Sequence, residues 1–203
     1  MFDDSNIAIN PLAVLKPIKE PRLFTLSQYL RKEERSDDLH EYYNGYIIKL
    51  PPATTPHNII STNIGSTLHG AIKHKYRVLM GKQLVYIPTE NYALYPDVVV
   101  IKDALQYYDF DETLVINPIL IVEVLSKGIK RLERTVKFSD YKVLDNIKEH
   151  ILIDKQKCWV QVSYREEPDA WRITEYKNIH DSIYLKSIDT TINVSDIYNH
   201  VLS

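Results

Sequence analysis

Cysteine is nearly absent from this chain of 203 residues: Cys158 is the only one. A lone thiol excludes an internal disulfide and any cysteine-based zinc cluster. Beside Trp159, in an apolar stretch, it reads as a plain buried thiol. An excess of charge of either sign is missing too. Lys and Arg number 25 against 27 Asp and Glu, a formal net charge of −2, so no long-range field draws the chain to DNA or to a membrane. Any nucleic-acid site has to be a local patch. No apolar run approaches the roughly 20 residues that a membrane helix needs, and the opening MFDDSNIAIN lacks the basic-then-apolar order of a signal peptide. The expectation is a cytoplasmic protein with no membrane partner. Internal repeats and low-complexity tracts are also lacking. What remains is ordinary for a globular protein, with 44% hydrophobic and 26% charged residues.

Residues 1–22 hold Pro11, Pro17 and Pro21 without a sustained period and read as an extended arm; residues 23–203 read as one α/β domain. Thr25, with Gln28 three residues on, can cap a short helix TLSQYLRKEE. HEYYNGYIIKL is a hairpin turning at Asn44-Gly45. After PPATTP, the spacing of Ile60, Ile64, Leu68 and Ile72 predicts a helix from about 57 to 76. RVLMGKQLVYIP is one bent strand or two short ones. YPDVVVIK is a further strand, and an irregular acidic and aromatic segment separates it from PILIVEVLS. A helix follows from Lys130 to about Leu144, then the strand HILID. CWVQVSYR, AWRITEYK and SIYLKS alternate as antiparallel strands do, and VSDIYNHVL ends in a short helix.

One letter of PILIVEVLS is out of keeping with the rest. Its apolar residues suit a strand covered on both faces, yet Glu123 sits among them. Burying a lone carboxylate is expensive unless it is paired, protonated or bound to metal. Asp97 stands at the entrance of the neighbouring apolar strand. Acidic pairs of this kind hold a hard cation such as Mg²⁺; alternatively, Asp97 is a turn residue and Glu123 pairs with a buried Lys or Arg. Downstream, Lys130, Arg134, Lys137 and Tyr141 share one helical stripe. That stripe either returns a cationic edge to the carboxylates or is a solvated face balanced by Glu133 and Asp140.

Taken in order, YPDVVV (95–100), VEVLS (122–126), KFSDY (137–141) and HILID (150–154) resemble the PD-(D/E)XK nuclease superfamily, and more closely its Uma-type, restriction-endonuclease-like branch. HEYYNGYIIKLPPATTPH (40–57) is similar to that branch's early segment, and the match covers roughly residues 24–180. The resemblance implies a restriction-endonuclease-like core: a mixed central β-sheet flanked by helices, with additional C-terminal antiparallel strands. It also implies a metal-dependent DNA endonuclease. Asp97 and Glu123 fall on its metal-binding carboxylates, and Glu41 on an early glutamate that would be a third ligand. Mg²⁺ would be the cofactor, with Mn²⁺ able to take its place. The lysine usual two residues after the second carboxylate is replaced by Leu125, and Lys137 on the helix matches the migrated position. Glu133 stands where relatives often have aspartate.

Weaker signals surround this set. His57 matches a histidine of the branch and is a candidate phosphate contact or a helix-start residue. Lys73 and Lys75, in KHKYR, together with Lys130 and Arg134, are candidate DNA contacts, although cations favour a helix end in any case. Gln83 lies upstream of Asp97 where some nucleases place a polar residue. Two other functions remain open: a catalytically inactive nuclease fold that binds nucleic acid or serves assembly, and a phosphodiesterase acting on RNA or a small nucleotide. A homodimer would suit cleavage of both strands.

Overall fold

The computed structural model describes residues 23–72, 74–125 and 139–201. Helix α1 (Leu26–Glu33) opens as its sequence dictates. The Thr25 hydroxyl accepts from the Gln28 amide while the Gln28 side chain accepts from the Thr25 amide, a complete capping box. Strands β1 (His40–Tyr43) and β2 (Tyr46–Lys49) are joined by Asn44 and Gly45 at φ +43° and +102°, the positive angles a two-residue hairpin turn requires. Helix α2 (Thr55–Ala71) starts with a proline in its first turn. It ends short of the expected residue 76, because Ile72 turns extended and Tyr76 is already paired with Lys102.

RVLMGKQLVYIP is two strands, β3 (Tyr76–Met80) and β4 (Leu84–Ile87), with Gly81 at φ +89° between them. There follow β5 (Tyr92–Leu94), β6 (Val98–Lys102), β7 (Leu114–Val115), β8 (Pro118–Leu125), β9 (Glu149–Asp154), β10 (Val160–Glu167) and β11 (Ala170–Tyr176). A hairpin of β12 (Ser182–Leu185) and β13 (Thr190–Asn193) leads into the short helix α3 (Val194–Ile197). Residues 139–142 are helical; the rest of the helix expected from Lys130 lies outside the described residues up to 138.

The mixed sheet expected from the sequence has the order β11-β10-β9-β8-β6-β3, antiparallel except for the β8–β9 pair. A second sheet, β2-β1-β5-β4-β7, lies against it. Alternation along each strand divides the interior. Val98, Val100, Leu120, Val122, Val124, Ile151 and Ile153 pack against Ile60, Ile64 and Leu68 of α2 and against the β12–β13 hairpin. The opposite face, with Val99, Ile101 and Ile121, meets Tyr43, Val85, Ile87 and Leu94 of the second sheet. That sheet's outer face closes on Tyr29 of α1. The chain passes from one sheet to the other five times, between β2 and β3, β3 and β4, β5 and β6, β6 and β7, and β7 and β8. The middle crossing is Tyr95-Pro96-Asp97. No helix among the described residues is long and apolar enough to cross a membrane.

Candidate active site

Strand alternation decides where Glu123 points. Its neighbours Val122 and Val124 face α2, whereas Ile121 joins the core between the sheets, so Glu123 also points between the sheets. It is 3% exposed. The Tyr141 hydroxyl, from the helical turn 139–142, donates to Glu123 Oε1 at 3.0 Å. Glu41 enters the same layer from β1 by the same logic, since Tyr43 two residues on belongs to the inter-sheet core. Glu41 is likewise 3% exposed. Its Oε2 accepts from the Tyr43 hydroxyl at 2.9 Å and its Oε1 from the Tyr95 amide at 3.2 Å.

The two tyrosines tie the glutamates into one locale. Burial, followed by the charges of Glu123 and Glu41, pushes the Tyr141 hydroxyl well above its ordinary pKa. Burial, then Glu41, Asp140 and Glu123, does the same to Tyr43. Both phenols therefore stay protonated and act as donors to the two buried carboxylates.

Asp97 reaches the site from the β5–β6 crossing. Its amide donates to the Val122 carbonyl at 3.1 Å, and its Oδ2 accepts from the Val124 amide at 2.7 Å. It thus clasps the backbone on either side of Glu123. Its Oδ1 turns toward α2, where it accepts from Ser61 Oγ at 3.3 Å and lies 3.3 Å from His57 Nε2. Burial alone would lower the His57 pKa; the hydrogen bond and charge of Asp97 outweigh it, and the net shift is upward. The charge of Lys155 opposes that rise. Lys155 follows β9 directly and is 8% exposed, with its Nζ donating to Thr54 Oγ1 at 3.1 Å.

The arrangement straddles the end of the six-stranded sheet, with Glu41 and Glu123 between the sheets and Asp97 joined to the α2 side. No group of three or more His, Cys, Asp or Glu among the described residues could hold a metal ion. Mg²⁺ is ordinarily held by one or two carboxylates and completed by water and substrate oxygens. Buried acidic oxygens at a strand end fit an ion bound in that sparse manner rather than in a protein cage.

Lys73, Lys130, Arg134 and Lys137 lie outside the described residues. Lys75 is exposed, with its Nζ 5.1 Å from the centroid of the Tyr76 ring. It stands past the far end of α2, roughly 20 Å of helix from His57, so the structure does not bring it to Asp97. Gln83 donates to the Leu84 and Thr113 carbonyls and tethers the β4 end. Sequence reasoning missed Tyr43, Tyr95 and Lys155. The two-residue step from Glu41 to Tyr43 was a usable signal; Lys155 gave none.

These elements define a restriction-endonuclease-like α/β fold with an acidic strand-end site. A solved structure titled "putative nuclease belonging to DUF820", from Anabaena variabilis, matches with a TM-score of 0.71 and 18% identity, over 88% of this chain and 99% of that one. The chain belongs to the family described as "Uma2: Putative restriction endonuclease", whose model matches residues 26–195. It is similar to two Synechocystis sp. proteins, both described as uncharacterized. One, sll1609, is 30% identical over 156 residues, covering 76% of this chain and 88% of the relative. The other, slr1290, is 28% identical over 174 residues, covering 84% and 89%.

Proposed function

We propose that this chain is a metal-dependent endonuclease that hydrolyses phosphodiester bonds in DNA. The observation that carries the reading is the clasp of Asp97 onto Val124, which sets one carboxylate against the strand that buries Glu123. Membership of a restriction-endonuclease family supports the reaction class. Asp97 and Glu123 are the proposed ligands of Mg²⁺, or of Mn²⁺ in its place, with Glu41 as a further carboxylate. A bound divalent ion supplies an acidified water and relief of phosphate charge.

The chain's own residues supply the rest. Tyr43 and Tyr141 fix the rotamers of the two buried glutamates, so the acidic oxygens are preorganised. Lys137 stands four residues before Tyr141, on the same stripe at helical spacing. Since Tyr141 reaches Glu123, Lys137 is the proposed cation for charge developing on the phosphate. A two-fold pair would suit cleavage of both strands.

A second reading is kept by two observations: Leu125 stands where the superfamily has lysine, and no three-ligand acidic group occurs among the described residues. It makes the chain an inactive nuclease fold that binds nucleic acid. Nicking of supercoiled plasmid with Mg²⁺ or Mn²⁺ separates the two. The endonuclease reading expects metal-dependent nicking that Asp97→Ala and Glu123→Ala both abolish, and that Lys137→Ala slows by about 10²–10³-fold. Plasmid binding without nicking at any metal concentration would favour the inactive fold. Competition by RNA would place the substrate elsewhere.

A further inference from the structure

Lys155 is out of place by ordinary rules of burial. It is 8% exposed, and no acidic side chain among the described residues forms an ion pair with it. Among the described residues its hydrogen bond is to a neutral hydroxyl, Thr54 Oγ1 at 3.1 Å. Lysines buried to this degree are normally paired. The neighbourhood makes matters worse for a cation. Thr54 is the N-cap of α2, whose dipole presents its positive end there. His57 lies close enough for the lysine to act on its imidazole. Thr54 makes no side-chain capping bond to α2; its hydroxyl serves the lysine. A fold that only needed packing at this point would do better with leucine or methionine.

The position carries the rest of the argument. In the parallel β8–β9 pair Leu125 is registered with Asp154, so Lys155 comes directly after the strand end beside the one that holds Glu123. Alternation from Ile151 and Ile153 turns it toward α2. Asp97 reaches out on that same side, to Ser61 and His57. A cation and an imidazole therefore flank the outer edge of the acidic site; the imidazole already faces Asp97, while the ammonium has no carboxylate beside it among the described residues and would be relieved by an anion.

We propose that Lys155, together with His57, forms the subsite that holds a non-bridging phosphate oxygen of the substrate. This rests on the endonuclease reading, and adds to the cation proposed at Lys137 a second positive charge just past the end of β9. Lys155 donates to the phosphate oxygen without giving up Thr54, since an ammonium has three donors.

The test is binding of inorganic phosphate to the full chain in EDTA, so that neither metal nor cleavage enters the readout. His57 ring proton shifts are followed by NMR at fixed pH, against sodium chloride of equal ionic strength. The expected result is a saturable phosphate effect at His57, weakened about tenfold or more in Lys155→Met, as loss of a charge-assisted hydrogen bond implies, and kept in Lys155→Arg. A phosphate effect unchanged in Lys155→Met, or absent from the wild type, would overturn the proposal. Should Lys155→Met not fold, Lys155→Gln carries the same comparison. Phosphate binding that depends on Lys155 in a protein that never nicks plasmid would sink the endonuclease reading and leave the subsite standing.

Discussion

Single side chains hold this site together, and tyrosine hydroxyls do much of the holding. Tyr141 donates to Glu123 and Tyr43 to Glu41. Removing either hydroxyl leaves a buried carboxylate one donor short, which costs about 1–3 kcal/mol; Tyr141→Phe and Tyr43→Phe are each expected to lower the urea midpoint accordingly. Alkaline pH probes the same bonds. Both phenols have folded pKa values above the ordinary 10, so the unfolded chain releases its protons first. Their stabilising contribution is whole below pH 10 and is lost as pH rises beyond it. Unfolding measured between pH 9 and 12 should show a steep alkaline loss that flattens in the double Phe variant. An unchanged slope would mean the phenols are not coupled to folding. At this scale the sequence was partly legible. Glu123 betrayed itself by standing in an apolar run, and Asp97 by preceding one. Lys155 did not, because its burial comes from α2 closing over a strand end, and nothing local in DKQK announces that.

Elements carry these residues to their places, and their boundaries follow local chemistry. The capping box at Thr25 sets the start of α1. From there Tyr29 donates its hydroxyl to the His40 carbonyl at 2.6 Å, steadying β1 one residue before Glu41. Thr25→Ala is expected to cost about 1 kcal/mol, read as a lower melting temperature, with the proposed plasmid nicking unaffected at temperatures where the chain is folded. Gly45 is less forgiving. Its φ of +102° disfavours any side chain, and a Cβ there would lie 3.0 Å from Leu23 Cδ2. Gly45→Ala should therefore destabilise by more than the roughly 0.4–1 kcal/mol by which such a change stabilises at compatible sites. Both the hairpin turn and the cap were readable because each is written within two to four consecutive residues. The end of α2 was not. Ile72 continues the apolar spacing, and only pairing of β3 with β6, distant in sequence, pulls the chain away.

For the whole molecule, the informative fact is that one sheet is covered on both faces. Leu120, fully buried, packs toward α2, while its neighbour Ile121 packs toward the second sheet. Leu120→Ala is expected to cost about 2–5 kcal/mol, and chemical denaturation should still show one transition at a lower midpoint. Two separate transitions would mean the layers fold independently. The α/β class and the mixed sheet were legible from strand and helix periods. The second sheet was not, because period-2 alternation tells which residues face inward but not which sheet they join. RVLMGKQLVYIP shows the limit: its two halves look alike in sequence and part company at Gly81. The five crossings between the sheets have a thermal consequence. Asp97 lies on one of them, a three-residue tether between β5 and β6, so the spacing between Asp97 and Glu41 is fixed by backbone that belongs to both layers. Such a centre has no way to loosen while its surroundings stay intact. On heating, loss of the proposed nicking activity and global melting should fall at one temperature, with no window in which a folded but inert species accumulates.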